Sequence, residues 1–210
     1  AIYNGFKYVA KRCYAVGGGI PVTVAINHDE LIKEGTTLGR TQYFLDRFKE
    51  ECEESAIDIC DFEVTDFILA REGILLKEGS ETPVFAPSPA SGIEQYSRLS
   101  DEDKGEIVAS DCVISSVTWL LERERGNVQF RKYSGTLDHP RHNDKQGATI
   151  NVFQHFSYFE SNKALVLADI QGSEHYDPSN KATILFDLMS HTTTGCTQLV
   201  CVVFRLILSQ

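Results

Sequence analysis

The feature that most constrains this 210-residue chain is a short apolar run that ends abruptly in polar residues. Residues 164–168, Ala-Leu-Val-Leu-Ala, predict a fully buried strand. Asp169, Ile170, Gln171 and Gly172 follow it directly. Ligand sites often lie where a buried strand opens into a loop. Because Asp169 and Gln171 are two residues apart, continued strand geometry would point both side chains to one side, where they could share a metal ion.

A second carboxylate follows another apolar run. Asp187 comes directly after residues 184–186, Ile-Leu-Phe. Carboxylate and amide oxygens suit Mg²⁺, which completes its coordination shell with water and substrate phosphates. The spacing leaves two interpretations open. One is a metal site; in the other, Asp169 caps a turn and Asp187 is a solvated loop acid.

Composition limits the classes of function. The apolar content of 42% is enough to bury a core. Thirty acidic residues against twenty basic ones give a formal charge of −10, which speaks against a nucleic acid as the main partner. No apolar run approaches the roughly twenty residues of a membrane-spanning helix, so we expect no membrane span. The six scattered cysteines and the lack of a recognisable secretory signal predict a cytoplasmic protein with reduced thiols.

The first part of the chain has the pattern of a hairpin followed by a helix. Residues 8–14 and 22–26 are typical of strands, and the glycines at 17–19 would supply the turn between them. A long amphipathic helix is predicted from Asp29, its cap, to Glu54. Its apolar residues recur at helical spacing: Leu31, Leu38, Leu45, Phe48 and Cys52.

The rest of the chain predicts an α+β fold with two lobes. Further strands are expected at residues 62–70, 113–121, 128–133 and 183–186, and a second helix from about Asp144 to Glu160. Residues 1–125 would form the first lobe and residues 126–210 the second, with a hinge near residues 122–126. Residues 77–106 are rich in proline, serine and acids, which predicts a mobile loop within the first lobe.

Lys11 lies in the predicted first strand. A lysine there can reach phosphates with its long side chain while its backbone stays fixed. Taken alone, however, the tripeptide Val-Ala-Lys favours a lysine that faces solvent.

Five motifs follow one another in a characteristic order. They are Trp-Leu-Leu-Glu at 119–122, Lys-Tyr-Ser-Gly-Thr at 132–136, Phe-Gln-His-Phe-Ser-Tyr at 153–158, Leu-Ala-Asp-Ile-Gln-Gly at 167–172 and Leu-Phe-Asp-Leu-Met-Ser-His-Thr at 185–192. In these motifs the chain resembles the atypical alpha-kinase family, which includes myosin-heavy-chain kinases, the elongation-factor kinase and the channel-kinases. The order and spacing fit the fungal branch best, and the resemblance covers about residues 8–195.

The resemblance implies a bilobal fold related to that of ordinary protein kinases. ATP would bind between the lobes, and its γ-phosphoryl group would be transferred to a Ser or Thr hydroxyl of a protein substrate. Lys11 looks like the lysine that contacts the ATP phosphates, and Glu122 looks like the hinge residue beside adenine.

The resemblance also implies roles for the polar residues at the two strand ends. Asp169 is similar to the catalytic aspartate of the family, and Gln171 and Asp187 resemble its Mg²⁺ ligands. Asp177 is a rival for the second carboxylate, but the context Leu-Phe-Asp-x-x-x-His favours Asp187. Phosphoryl transfer depends mainly on positioning and on neutralising phosphate charge, which a lysine and a bound metal ion provide.

His155 matches a histidine that, in the family, holds a structural zinc ion together with a later histidine and two cysteines. Beyond Asp187 this chain offers only Cys196 and Cys201, with no neighbouring histidine, so the Zn²⁺ ligand set is incomplete. A packed helix histidine is therefore the favoured interpretation. Residues 196–210 stand where the family has a glycine-rich loop and a zinc-binding helix, which indicates an altered C-terminus.

Two functions remain open at this point. The first is an active or ancestrally active Ser/Thr kinase, and the second is a catalytically inactive remnant that binds nucleotide or a partner protein. ATP binding is favoured by the five residues that match the family: Lys11, Glu122, Asp169, Gln171 and Asp187. Efficient turnover is disfavoured by the altered C-terminus and by the lack, ahead of Phe6, of the glycine- and arginine-bearing start seen in the family. A cysteine hydrolase has no supporting motif.

Overall fold

The computed structural model describes residues 2–16, 20–71, 117–126, 129–135, 144–174, 182–192, 195–196 and 200–204. For residues 14–16, 20–21, 174, 195–196 and 200–204, only the backbone is described. The predicted loop at 77–106, the glycines at 17–19 and Asp177 lie outside these ranges. The described residues form two helices and thirteen strands, which confirms the predicted α+β class.

The chain divides into two compact units. Unit 1 comprises residues 1–32, 67–123 and 199–210, and unit 2 comprises residues 33–66 and 124–198. One division falls between residues 123 and 124, within the segment where the sequence predicts a hinge. Each unit also combines segments that are distant in sequence.

Unit 1 is built on one sheet, whose central strand is β2 (Phe6–Val16). One edge of β2 pairs with β6 (Thr118–Arg123), which in turn pairs with β5 (Phe67–Arg71). Three further strands also pair with β2: β1 (Ile2–Tyr3), β3 (Ile20–Pro21) and β13 (Val200–Phe204). The C-terminal run 200–204 is therefore an antiparallel strand of this sheet.

A hairpin is present, but the prediction of its second strand at residues 22–26 is wrong, because none of these residues lies in a strand. Only Ile20 and Pro21 pair with β2, and α1 begins at Val24 (Val24–Glu54). The prediction of Asp29 as the helix cap is wrong, because the hydroxyl of Thr23 accepts a hydrogen bond of 3.0 Å from the Ile26 amide. A capping hydroxyl overrides the strand preference of the β-branched residues that follow it.

Asn27, in the first turn of α1, connects the helix to two strands of unit 1. Its side-chain oxygen accepts a hydrogen bond of 2.9 Å from the Cys13 amide of β2. Its side-chain amide donates to the Thr118 carbonyl of β6 at 2.8 Å. Asn27 is 0% exposed, so neither hydrogen bond has a ready replacement from water. Ala10, Val117 and Trp119 form a buried apolar cluster in the same unit.

The predicted strand at 62–70 is two strands that belong to different sheets. They are β4 (Phe62–Val64) in unit 2 and β5 in unit 1. Thr65 ends β4: its amide donates to the Leu185 carbonyl, and its hydroxyl accepts a 2.6 Å hydrogen bond from Arg125. The run is apolar on both sides of this break, so its pattern does not reveal the interruption.

Unit 2 contains two sheets and a helix. The four-stranded sheet has the order β4, β10 (Thr183–Phe186), β9 (Gln171–Glu174), β7 (Phe130–Lys132), and β4 is parallel to β10. The three-stranded sheet has the order β12 (Gly195–Cys196), β11 (Met189–Thr192), β8 (Leu165–Ala168). Leu165 and Leu167 of β8 are buried, but Val166, which points to the opposite face, is exposed, so the prediction that this strand is fully buried is wrong.

The prediction of a long amphipathic helix that ends at Glu54 is confirmed by α1 and by the burial of its apolar residues. The five apolar residues that predicted α1, namely Leu31, Leu38, Leu45, Phe48 and Cys52, are all buried. In unit 2, the rings of Phe48, Phe62 and Phe153 contact one another, with centroids 5.3–6.4 Å apart. The second predicted helix is also confirmed, as α2 (Lys145–Glu160), and Asp144 caps it by accepting from the Gly147 amide.

Two of the cysteines described with side chains, Cys13 and Cys52, are free and buried, and Cys60 is free and half-buried. Burial raises the pKa of the Cys52 thiol. Neither of the two described helices is both long enough and apolar enough to cross a membrane.

Replacing Asn27 with alanine tests the connection between α1 and the sheet of unit 1. We expect Asn27→Ala to lower the free energy of unfolding by about 2–4 kcal/mol, because the buried Cys13 amide and Thr118 carbonyl both lose a partner. Urea unfolding monitored by circular dichroism measures the change. The control is Gln42→Ala, which removes an exposed hydrogen bond to Asp46 and should change stability by less than about 0.5 kcal/mol. Equal stabilities of the two variants would contradict this role for Asn27.

Candidate functional site

Two segments of unit 2, residues 165–174 and 183–192, run antiparallel to each other. Their strand pairing is interrupted at the same position on both segments and continues beyond it in the same register. Before the interruption, β9 pairs with β10 and Phe186 lies opposite Gln171. Beyond it, β11 pairs with β8 and Met189 lies opposite Ala168. Two residues separate the paired strands on each segment: Asp169 and Ile170 on one, Asp187 and Leu188 on the other. The two aspartates therefore occupy equivalent positions of the two segments.

Both aspartates have a left-handed backbone, with φ of 52° at Asp169 and 50° at Asp187. This conformation is unfavourable for residues other than glycine, although aspartate tolerates it better than most. The residue after each aspartate is an apolar anchor, since Ile170 is 0% and Leu188 5% exposed. Buried anchors and continuous strand pairing on both sides hold the strained turns in place, as is common at functional sites.

The first of these turns is fixed by the segment that follows β7. The Tyr133 amide donates to the Ile170 carbonyl at 2.7 Å, and the Ile170 amide donates to the Ser134 hydroxyl at 3.0 Å. The Asp169 amide donates to the Gly135 carbonyl at 3.2 Å. Burial raises the pKa of the Tyr133 hydroxyl, so this residue acts as a packed neutral group. Residues 133–135 of this motif thus hold the Asp169 turn through backbone and hydroxyl hydrogen bonds.

Asp169 itself faces a lysine. Its Oδ1 is buried and in contact with the Lys132 ammonium. The contact is not directed as a hydrogen bond, and no other described residue donates to this oxygen. The Lys132 side chain is 53% exposed and that of Asp169 is 22% exposed, so both remain accessible to a ligand. This arrangement pairs a candidate proton acceptor with a cation.

The two predicted Mg²⁺ ligands are brought together. The Gln171 side-chain amide lies 3.2 Å from Asp187 Oδ2. Both residues are half-buried. Rotation of the Gln171 amide would turn its oxygen, in place of its nitrogen, toward the same space. One carboxylate and one amide oxygen are the hard ligands that Mg²⁺ accepts when substrate phosphates and water complete its shell. The donor set therefore fits the ion.

In unit 1, Lys11 and Glu122 form a buried ion pair. The Lys11 ammonium lies 2.5 Å from Glu122 Oε1, and the two side chains are 5% and 2% exposed. In the register of β2 and β6, Val9 lies opposite Glu122 and Lys11 opposite Leu120, so the charged residues are diagonal neighbours on one face. The interpretation of Lys11 as solvent-facing is wrong, because a buried ammonium is tolerated when a carboxylate neutralises it.

His155 is exposed on α2, so the interpretation of it as a packed helix histidine is also wrong. Among the residues whose side chains are described, it belongs to no cluster of three groups able to hold a metal ion. The side chains of Cys196 and Cys201 are not described. Zinc binding at His155 stays a prediction with an incomplete ligand set.

The sequence alone indicates no role for Lys132 and Ser134, which both contact the Asp169 turn. Both lie in the Lys-Tyr-Ser-Gly-Thr motif, which was identified without a role for its members. The only available signal was their membership of this motif. The contact of residues 132–135 with the Asp169 turn becomes visible only in the structure, where β7 pairs with β9.

Comparison with known proteins bears on these motifs. The model of the family described as "Alpha-kinase family" matches residues 3–199, nearly the whole chain. The chain belongs to the alpha-kinase family. No curated protein matches it as a relative.

Three solved alpha-kinase domains are similar to the chain. The apoenzyme domain of myosin-II heavy chain kinase A matches with a TM-score of 0.49 and 14% identity, over 81% of this chain and 48% of that one. An alpha kinase from Entamoeba histolytica matches with a TM-score of 0.47 and 17% identity, over 79% and 51%. The myosin heavy chain kinase A domain in complex with AMPPCP gives 0.45 and 14%, over 79% and 45%. This alpha-kinase chain thus spans about half the length of these domains.

Gly172 of the Asp-Ile-Gln-Gly motif allows the close approach of β9 to β10. A Cβ atom there would lie 2.6 Å from Thr183 Cγ2 and 3.2 Å from the Ile184 carbonyl oxygen. We expect Gly172→Ala to destabilise the protein by about 1–3 kcal/mol, because β10 must move. The measurement is urea unfolding.

The matched control is Gly39→Ala in α1, where a Cβ atom would meet nothing within 4 Å. This variant should gain about 0.5–1 kcal/mol from helix propensity. A Gly172→Ala protein as stable as the parent would show that the strands are not closely packed at this point.

Proposed function

We propose that the chain is an ATP-dependent protein kinase of the alpha-kinase type that phosphorylates Ser or Thr hydroxyls. The observation that carries the proposal is the contact between Gln171 and Asp187, next to the matching turn that holds Asp169 beside Lys132. A metal-ligand pair, a candidate proton acceptor and a cation are the groups that phosphoryl transfer requires.

Lys11 is proposed to contact the ATP phosphates. Its backbone lies in the middle of β2, and its ammonium is held by Glu122 at 2.5 Å. Glu122 would thus position Lys11, because the ion pair restricts the orientations of the long lysine side chain. A contact between Glu122 and adenine also stays a prediction of the family resemblance.

Gln171 and Asp187 are proposed to hold Mg²⁺. The bound ion would neutralise phosphate charge on the nucleotide. The left-handed turn at Asp187 and the buried Leu188 fix the carboxylate before the ion arrives, so little side-chain ordering is needed on binding.

Asp169 is proposed as the catalytic aspartate. It would orient the substrate hydroxyl and accept its proton while the hydroxyl oxygen bonds to the γ-phosphorus and the bond from that phosphorus to the ADP oxygen breaks. Lys132, which is half exposed beside Asp169, would neutralise charge on the transferred phosphoryl oxygens. The family resemblance and the geometry thus support the same assignment.

Nucleotide titration of three variants tests the division of roles. We expect the parent to bind ATP more tightly with Mg²⁺ than without it. Asp187→Asn should lose about tenfold or more of the Mg²⁺-dependent affinity, because a hard cation prefers a charged oxygen ligand. Asp169→Asn should bind within about threefold of the parent, because its proposed role is in the transition state. Isothermal titration calorimetry gives all these constants.

The control is Asp58→Asn, which changes an exposed acid that pairs with Lys145 and should leave nucleotide binding unchanged. A parent that binds no nucleotide at millimolar concentration would contradict both the kinase and the inactive nucleotide-binding module. A parent that binds nucleotide but never transfers phosphate would favour the inactive module.

A further inference from the structure

A groove of about 620 Å³ opens on unit 2, separate from the residues assigned to catalysis. One wall is the face of α1 that runs from Thr36 to Phe44, and the opposite wall is formed at the start of β8 and the end of β11. The volume lies in the range of about 300–1,000 Å³ that is typical of ligand sites. Eight helical steps from Thr36 to Phe44 cover about 12 Å, the length of three or four extended peptide residues.

Gly39 lines this groove and has no packing reason to be glycine. It lies in the interior of α1, where glycine costs about 0.5–1 kcal/mol relative to alanine. A Cβ atom at this position would meet nothing within 4 Å. The glycine therefore keeps open a space that the described residues do not fill.

Arg40 gives the groove a positive charge that none of the described residues neutralises. Its side chain is exposed, and within the described ranges no residue forms an ion pair or hydrogen bond with it. None of the described residues that line the groove is acidic. By contrast, Arg47, two turns further along α1, is paired with acidic residues. Its guanidinium lies 2.9 Å from Glu50 and 3.9 Å from Glu160. The hydrogen bond to Glu50 raises the pKa of Arg47. In a chain with a net charge of −10, an unpaired arginine in an acid-free groove favours an anionic ligand.

Apolar surface lies beside this charge. Tyr43 is 58% exposed and its ring packs edge-on against Phe44, with centroids 5.3 Å apart. Leu165 contributes a buried aliphatic wall. A ligand that fits must therefore combine an anionic group with a large apolar group a few ångströms away.

We propose that this groove binds an acidic peptide segment of a partner protein. A carboxylate or phosphate of the segment would form a charge-assisted pair with the Arg40 guanidinium, and a neighbouring bulky apolar side chain would pack against Tyr43, Phe44 and Leu165. The carboxylate of Glu or Asp and the phosphate of a phosphorylated Ser or Thr share this chemistry. The inference goes beyond the proposed kinase activity, because binding here requires neither nucleotide nor Asp169.

Fluorescence anisotropy with labelled peptides tests the proposal. The probes are Gly-Ser-Leu-X-Phe-Ser-Gly, in which X is Glu, phosphothreonine or Gln. We expect the better acidic peptide to bind about tenfold or more tightly than the Gln peptide, as for a hydrogen bond to a charged group. The relative affinity of the Glu and phosphothreonine peptides identifies the source of the anion.

Three variants separate charge from shape. Arg40→Gln should abolish the preference for acidic peptides, whereas the control Arg47→Gln on the same helix should retain it. Gly39→Leu should weaken all binding by filling the groove, and we expect it to fold, because a Cβ atom at this position meets nothing within 4 Å.

Thermal melting establishes that each variant is folded. Equal binding of acidic and neutral peptides, a preserved acidic preference in folded Arg40→Gln, or no binding at millimolar peptide would overturn the proposal. None of these outcomes bears on nucleotide binding, which is measured separately.

Discussion

The antiparallel register between residues 165–174 and 183–192 is the constraint on which the candidate site depends. It places Gln171 opposite Phe186 and leaves the same two-residue gap on both segments, so both aspartates are held by strands on either side. A slip of one residue would reverse the faces of the side chains and separate Gln171 from Asp187. Gly172 limits such a slip, because only a residue without a Cβ atom fits against Thr183. The geometry for metal binding is therefore a consequence of backbone pairing.

Unit 1 depends on a different interaction, the burial of two opposite charges on one face of its sheet. Removing either Lys11 or Glu122 would take an ion-pair partner away from a buried charge, which costs several kcal/mol, although the pair itself adds little net stability. The pair thus fixes where an ammonium group is held more than it strengthens the fold. Asn27 acts in the same region through neutral hydrogen bonds, and it fastens α1 to the two strands that carry the pair.

The sequence predicts those parts that depend on local patterns. The spacing of Leu31, Leu38 and Leu45 predicts α1, and Asp144 followed by a helical segment predicts α2, because periodicity and capping are local. The start of α1 was missed because a threonine cap and a strand-like sequence compete at residues 22–26. The buried state of Lys11 and the contact of Lys132 with Asp169 were missed because the partners, Glu122 and Asp169, are remote in sequence. Contacts between residues far apart in sequence depend on the register of the strands. This register cannot be predicted from the apolar pattern of a single sequence.

The role proposed for Asp169 in phosphoryl transfer can be measured directly. The purified protein is incubated with Mg²⁺, ATP labelled at the γ-phosphate and a generic protein substrate. Transfer of the label is followed by autoradiography, and mass spectrometry locates the phosphate on Ser or Thr. We predict transfer by the parent and none above background by folded Asp169→Asn. Transfer by Asp169→Asn at the parent's rate would contradict the assignment, and a nucleotide-bound parent without any transfer would contradict the kinase itself.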